Sequence, residues 1–145
     1  GMTVRVERTF TFDAPAEQVW AFIADPAKRA EAISVVESYE ITDEAGHEAT
    51  WQVSLPIPGF GATVPIETED VERDPPNRVE FVGRSKALRV TGTHVIETDG
   101  ETTTLHNEFV VDGRLPGVER FFKKNFEKEL DNLEAALRED LGLKA

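Results

Sequence analysis

Hydrophobic and polar positions alternate from Val4 to Phe12, with Val4, Val6, Phe10 and Phe12 on one side and Arg5, Glu7, Thr9 and Thr11 on the other. A period of two predicts a half-buried strand, interrupted on its apolar side by Arg8. Asp13 and Pro15 then give a helix start with Glu17 in its first turn, and Val19, Trp20, Phe22 and Ile23 supply an apolar face that ends near Ala24. Asp25-Pro26 repeats the start signal for a short second helix through about Ala32, because proline fits the first helical position and aspartate caps free amides. Gly1, before Met2, reads as a residue left by tag cleavage and takes no part in the fold.

From Val35 to Asp112 the helical period is absent, and β-branched and aromatic residues are divided by turn formers. Six strands are predicted, at Val35–Asp43, Glu48–Leu55, Thr63–Arg73, Arg78–Arg84, Leu88–Thr98 and Thr102–Arg114. Ala45-Gly46, Asp74-Pro75-Pro76-Asn77 and Asp99-Gly100 supply breaks, the last a strong hairpin signal, so neighbouring strands should pair antiparallel. The apolar stretch Leu55 to Gly61 holds too much proline and glycine for regular pairing and is expected to be a loop covering a sheet end. After Leu115-Pro116-Gly117 the period becomes helical: Val118, Phe122, Phe126, Leu130, Leu133, Leu137 and Leu141 recur at steps of four or three. They form one stripe on a helix of roughly 24 residues, about 36 Å long.

A single long helix must therefore cover a seven-stranded antiparallel sheet, and the sheet must curve around it. A curved sheet cannot touch a straight helix along its whole width, so a cavity between them is expected, and apolar cavities are where small ligands bind. The predicted fold is α+β, one domain over residues 2–145, with two short helices after the first strand.

This order, with Phe12-Asp13-Ala14-Pro15-Ala16-Glu17-Gln18-Val19-Trp20 followed by Asp25-Pro26, resembles the START-like superfamily of helix-grip proteins, which includes polyketide cyclases and dehydratases, lipid-transfer domains and pathogenesis-related plant allergens. The resemblance spans nearly the whole chain. Within it, Asp74-Pro75-Pro76-Asn77-Arg78, then Gly92, then Gly100-Glu101-Thr102-Thr103-Thr104, is most similar to the subgroup containing the G-type subunit of carbon-monoxide dehydrogenase. The superfamily resemblance implies a hydrophobic ligand cavity; the subgroup resemblance implies a membrane-associated role with a lipidic or quinone-like ligand. The sequence ends at Ala145 without the hydrophobic tail that anchors some such members, which argues against direct anchoring.

Charge narrows the partner classes. Twenty-eight acidic residues against sixteen basic ones give a formal charge of -12, so the chain does not attract phosphate backbones and no nucleic-acid partner is expected. The acidity, spread along the chain, fits either ordinary solubility or adaptation to high salt. Cysteine is absent, which removes disulfides, thiolate metal sites and cysteine nucleophiles, and is compatible with a cytoplasmic protein. No run reaches the ~18 apolar residues of a helical membrane span, so no transmembrane segment is expected, and peripheral membrane contact is compatible with the sequence.

Strand parity nominates the inward faces: Ala49, Trp51, Val53 and Leu55; Val64, Ile66 and Thr68; Val79 and Phe81; Leu88, Val90, Gly92, His94 and Ile96; Leu105, Asn107, Phe109 and Val111. Phe121, Phe122, Asn125, Phe126 and Leu130 oppose them on the last helix. His94 and Asn107, polar groups on apolar faces, need partners, because an unpaired buried polar group costs about 1 to 3 kcal/mol. They are the expected polar contacts of a ligand lined by Trp51, Phe60, Phe81, Val90, Phe109, Phe122 and Phe126, with Phe60 near the mouth. Core packing alone accounts for most of these residues equally well. Trp20 is expected to pack the first helix onto the sheet.

Other constellations fail. His47, beside Glu44 and Glu48, lacks a third metal ligand, and His106 falls on an outward face with Glu108. The acidic run Glu67, Glu69, Asp70 and Glu72 reads as a solvated strand face rather than a calcium site. No phosphate loop or serine elbow is present, so neither a metal nor a cofactor is expected. The leading expectation is a non-enzymatic binder or carrier of a small lipid-, quinone- or polyketide-like molecule. The alternative is a cyclase or dehydratase, which needs a carboxylate or tyrosine meeting His94 in one pocket, and the only tyrosine, Tyr39, lies on an early strand. A protein-interaction module would need an apolar convex face, against which the outward Glu67, Glu69, Glu80 and Glu97 argue.

Overall fold

The computed structural model describes residues 2–56, 61 and 63–144. The expected Phe60 contact therefore lies outside the described residues. Strand β1 (Met2–Phe12) is followed by helices α1 (Ala16–Ile23) and α2 (Pro26–Glu31). Strands β2 (Val36–Ile41), β3 (Glu48–Val53), β4 (Val64–Asp74), β5 (Arg78–Arg84), β6 (Leu88–Asp99) and β7 (Thr102–Gly113) follow, then helix α3 (Val118–Asp140). They build one curved antiparallel sheet in the order β1-β7-β6-β5-β4-β3-β2, an α+β helix-grip arrangement.

Local chemistry sets the element ends. The Asp25 side chain accepts a hydrogen bond from the Ala27 amide and caps α2, as its sequence signal implies. The signal before α1 acts differently: Pro15 itself is the N-cap, with no side-chain cap, so Asp13 does not start this helix. Strand β2 is shorter than expected because Asp43 Oδ1 accepts from the His47 and Glu48 amides at 2.9 and 2.8 Å, closing a turn that takes the end of the predicted strand out of the ladder. Gly100 turns the β6–β7 hairpin at φ 64°, a conformation that glycine adopts without steric penalty.

The inward faces follow the alternation. Ala49, Trp51, Val53, Val64, Ile66, Val79, Phe81, Leu88, Ile96, Leu105 and Val111 are buried, and α3 buries Val118, Phe126, Leu130, Leu133 and Leu137 against them. Helix α3 lies against β1 and β7 and meets α1. Arg8, the interruption on the apolar face of β1, pairs with Glu127 and Asp131 and so fastens that strand to the helix. Trp20 packs partly buried against the core with the Arg73 guanidinium 5.6 Å from its ring centre.

Candidate functional site

Strands β6 and β7 pair in a register that sets His94 opposite Asn107. His94 Nδ1 lies 2.7 Å from Asn107 Oδ1. The Asn107 amide nitrogen donates to the Arg8 and Leu105 carbonyls at 3.1 and 3.4 Å, so its oxygen must face the imidazole and accept. This places the His94 proton on Nδ1 and leaves Nε2 as an acceptor. Burial, reinforced by the positive charge of Arg29 and only partly opposed by the Asn107 hydrogen bond, pushes the imidazole pKa down to about 3. His94 is neutral at physiological pH.

A second polar group enters from α2. Arg29, 4% exposed, donates from Nη1 to the Ile23 carbonyl at 2.9 Å and from Nη2 to Asp70, and its guanidinium lies 5.0 Å from the Phe81 ring centre. Burial lowers its pKa, against the opposing pull of Asp70. Arg73 completes the cluster, pairing with Asp70 and donating to the Ala24 carbonyl at 2.8 Å. Asp70 corrects the solvated reading of the acidic run: its side chain is 1% exposed. It continues the inward parity of Val64, Ile66 and Thr68, and an irregularity between Asp70 and Glu72 then brings Arg73 to the same face, opposite Val79.

Between the sheet, the α1–α2 segment and α3 lies a cavity of about 70 Å³ whose wall is almost entirely apolar. Trp51, Phe81, Val90, His94, Phe109, Phe122 and Phe126 all line it. Asn107 does not; it stands behind His94 and orients it. Phe121 and Asn125 also stand off the wall, and the Asn125 amide donates instead to the Phe121 carbonyl one turn earlier. Three polar residues share the wall with His94: Arg29, Trp51 and Glu129. Arg29 Nε, Trp51 Nε1, His94 Nε2 and Glu129 Oε2 are buried without a hydrogen-bond partner among the described residues. An apolar cavity whose polar wall residues each keep one unused atom is arranged to meet a ligand or water.

Comparison with known proteins places this geometry. The profile of the family described as polyketide cyclase / dehydrase and lipid transport matches residues 3–138. The chain belongs to this family. Its helix-grip fold recurs in the Zhui aromatase/cyclase from Streptomyces sp. R1128, at TM-score 0.73, 21% identity and coverage of 96% of this chain and 94% of that one. It recurs in a START superfamily protein from Mycobacterium smegmatis, at TM-score 0.73, 16% identity and coverage of 95% and 97%. Norcoclaurine synthase from Thalictrum flavum has the same fold at TM-score 0.65, 12% identity and coverage of 95% and 86%. No curated protein sequence matches the chain significantly.

This polyketide cyclase and lipid-transport family member carries two cavity residues that sequence reasoning missed. Glu129 lies three residues after Phe126 and four before Leu133, so the helical period itself puts it on the apolar stripe. Its Oε1 accepts from Ser34 Oγ at 2.7 Å, from the Ser34 amide at 3.2 Å and from Asn132 at 2.9 Å. Arg29 had no comparable signal, because a six-residue helix is too short to show a period. Tyr39 bonds Glu31 near the surface and stays off the cavity wall. His106 contacts Thr9 Oγ1 at 3.0 Å and Glu97 at 3.5 Å, whereas its expected companion Glu108 pairs with Arg5. No group of three or more His, Asp or Glu among the described residues gathers as metal ligands, and no described helix is long and apolar enough to cross a membrane.

Proposed function

We propose that the protein binds or carries a small hydrophobic molecule in the cavity between the sheet and α3. The observation behind this reading is an apolar cavity lined by four polar residues that each keep one buried atom without a hydrogen-bond partner among the described residues. The free space of about 70 Å³ is smaller than the ~150 Å³ apolar void that admits benzene in a well-packed core. A lipid- or polyketide-sized guest therefore needs side chains to move, and the wall includes residues that are only partly buried, Phe122 on α3 and Val90 on β6 among them. A single aromatic ring burying ~200 Å² gains about 5 kcal/mol at 25 cal/mol per Å². That is comparable with the freedom lost on association, so polar contacts decide which guest stays. Native mass spectrometry on protein purified from its own host, followed by extraction of bound lipid, tests the reading: a released small molecule supports it. An empty protein that binds neither quinones nor lipids contradicts it.

A cyclase or dehydratase acting on a polyketide-like carbonyl substrate is the second reading, favoured by one observation. Glu129 and His94 line the same cavity, a carboxylate and a neutral imidazole each with one unpartnered buried atom. General acid/base work needs such a pair within reach of one substrate. Turnover of a poly-β-ketone that disappears in both Glu129→Gln and His94→Gln would favour this reading over carriage. Absence of turnover alongside tight binding would favour carriage.

A further inference from the structure

We propose that the cavity selects a ligand whose polar end presents an acceptor oxygen together with a hydroxyl, held beside Phe81 by Arg29 Nε, Trp51 Nε1 and His94 Nε2. This rests on the ligand-binding reading above and adds to it the ligand's functional groups and the direction in which it lies.

Three side chains from three separate elements converge on one ring. The Arg29 guanidinium lies 5.0 Å from the Phe81 centroid, the Trp51 ring 5.7 Å and the His94 ring 6.2 Å, the last stacked at 12°. Each residue lines the cavity and keeps one buried atom without a hydrogen-bond partner among the described residues. Their chemistry is not interchangeable. Arg29 Nε and Trp51 Nε1 can only donate, whereas His94 Nε2 can only accept, since Asn107 holds the imidazole proton on Nδ1. The complementary ligand therefore offers lone pairs to the first two and a proton to the third. A carbonyl or ether oxygen answers the donors, and a hydroxyl answers the histidine.

The fixed parts of the cluster strengthen this specificity. The other two nitrogens of Arg29 are committed to Ile23 and Asp70, so the guanidinium cannot rotate to hide its third donor without breaking a buried ion pair. Leu88, Val90, Val111, Phe122 and Leu133 supply only apolar surface elsewhere along the wall. The polar end of the guest thus lies at Phe81, and its apolar remainder extends along β6 and β7; on α3 the wall holds the polar Glu129 as well as Phe122, Phe126, Leu130 and Leu133.

Calorimetric titration of the intact protein with benzene, acetophenone and phenol separates the contributions, because the three share a ring and differ in offering nothing, an acceptor, or a hydroxyl. Acetophenone and phenol should each bind about fivefold to tenfold more tightly than benzene. Trp51→Phe should reduce the advantage of acetophenone with little effect on benzene, and His94→Phe should reduce that of phenol. Arg29 is too deeply paired for a first test, so the wild-type series, which alters no residue, carries it, with Trp51→Phe read beside a urea melt because Trp51 is itself part of the core. Equal affinity for all three probes overturns the inference while leaving a hydrophobic cavity in place, its polar atoms then being served by water. Binding of none of them overturns the ligand-binding reading and this inference with it.

Discussion

His94 Nδ1 donates to Asn107 Oδ1 at 2.7 Å across the β6–β7 ladder, and that contact fixes which face of the imidazole the cavity meets. Asn107→Leu removes the acceptor and leaves a buried N–H unpaired, so we expect a loss of about 1 to 3 kcal/mol in urea denaturation. It also frees the ring to change tautomer, which two-dimensional NMR of the imidazole nitrogens would register as exchange of the proton between Nδ1 and Nε2. An unchanged tautomer in this variant would mean that something other than Asn107 orients the ring.

The low His94 pKa carries a stability signature. The group binds its proton at about 3 when folded and near 6.5 when unfolded. Below pH 6.5 the unfolded chain holds more protons, so stability falls as pH falls, by about 1.4 kcal/mol per unit, until the folded pKa is reached. Between pH 7.5 and 5 this amounts to about 2 kcal/mol. Urea melts at these two pH values should show that loss in the wild type and a smaller one in His94→Phe. Identical pH profiles would show that the imidazole does not sit neutral in the core.

Asp70 pairs with both Arg29 and Arg73, so its removal leaves the buried Arg29 cation without a counter-charge. Asp70→Asn should cost about 3 to 5 kcal/mol, whereas Arg29→Met combined with Asp70→Asn should cost less than the two single changes added. Additive losses would argue that the ion pair is not coupled.

Gly92 lets the Phe81 ring lie flat across β6: a Cβ there would meet Phe81 Cε1 at 2.2 Å. Gly92→Ala must push a fully buried ring aside, and the free space next to it is the cavity. We expect about 1 to 3 kcal/mol of destabilisation and a loss of ligand binding that exceeds the loss of stability. Retained binding would place the ligand away from Phe81.

A net charge of -12 repels itself. Screening shortens the reach of that repulsion to roughly 3 Å at 1 M salt, so the melting temperature should rise along a KCl series. A flat or falling series would show that the surface ion pairs, such as Arg5–Glu108 and Arg84–Glu69, matter more than the excess carboxylate.

The fold was legible because its elements are long and strongly periodic: β6, β7 and α3 announce their faces in 12, 12 and 23 residues. The aromatic wall followed from the same parity, and so did the opposition of His94 and Asn107 across a tight hairpin. The charged part of the site did not, for two different reasons. Asp70 and Glu129 sit on faces that their own periods mark as inward, yet charge argues for solvent, and only a partner reached from elsewhere in the chain resolves the conflict. Each has one partner three residues away, Arg73 for Asp70 and Asn132 for Glu129, but the other lies 41 residues away for Asp70 and 95 for Glu129, where no local signal reaches. Arg29 lies on a helix of six residues, where no period exists to read.

Ligand binding of the kind proposed requires that the interior beside Phe81 admit a guest. Amide NMR spectra of the protein titrated with acetophenone test this most directly. We expect saturable shifts grouped at Trp51, Phe81, His94 and Phe126, on strands β3, β5 and β6 and on α3. A spectrum that does not change, or one that changes only around outward residues such as Glu67, Glu80 and Glu97, would contradict it.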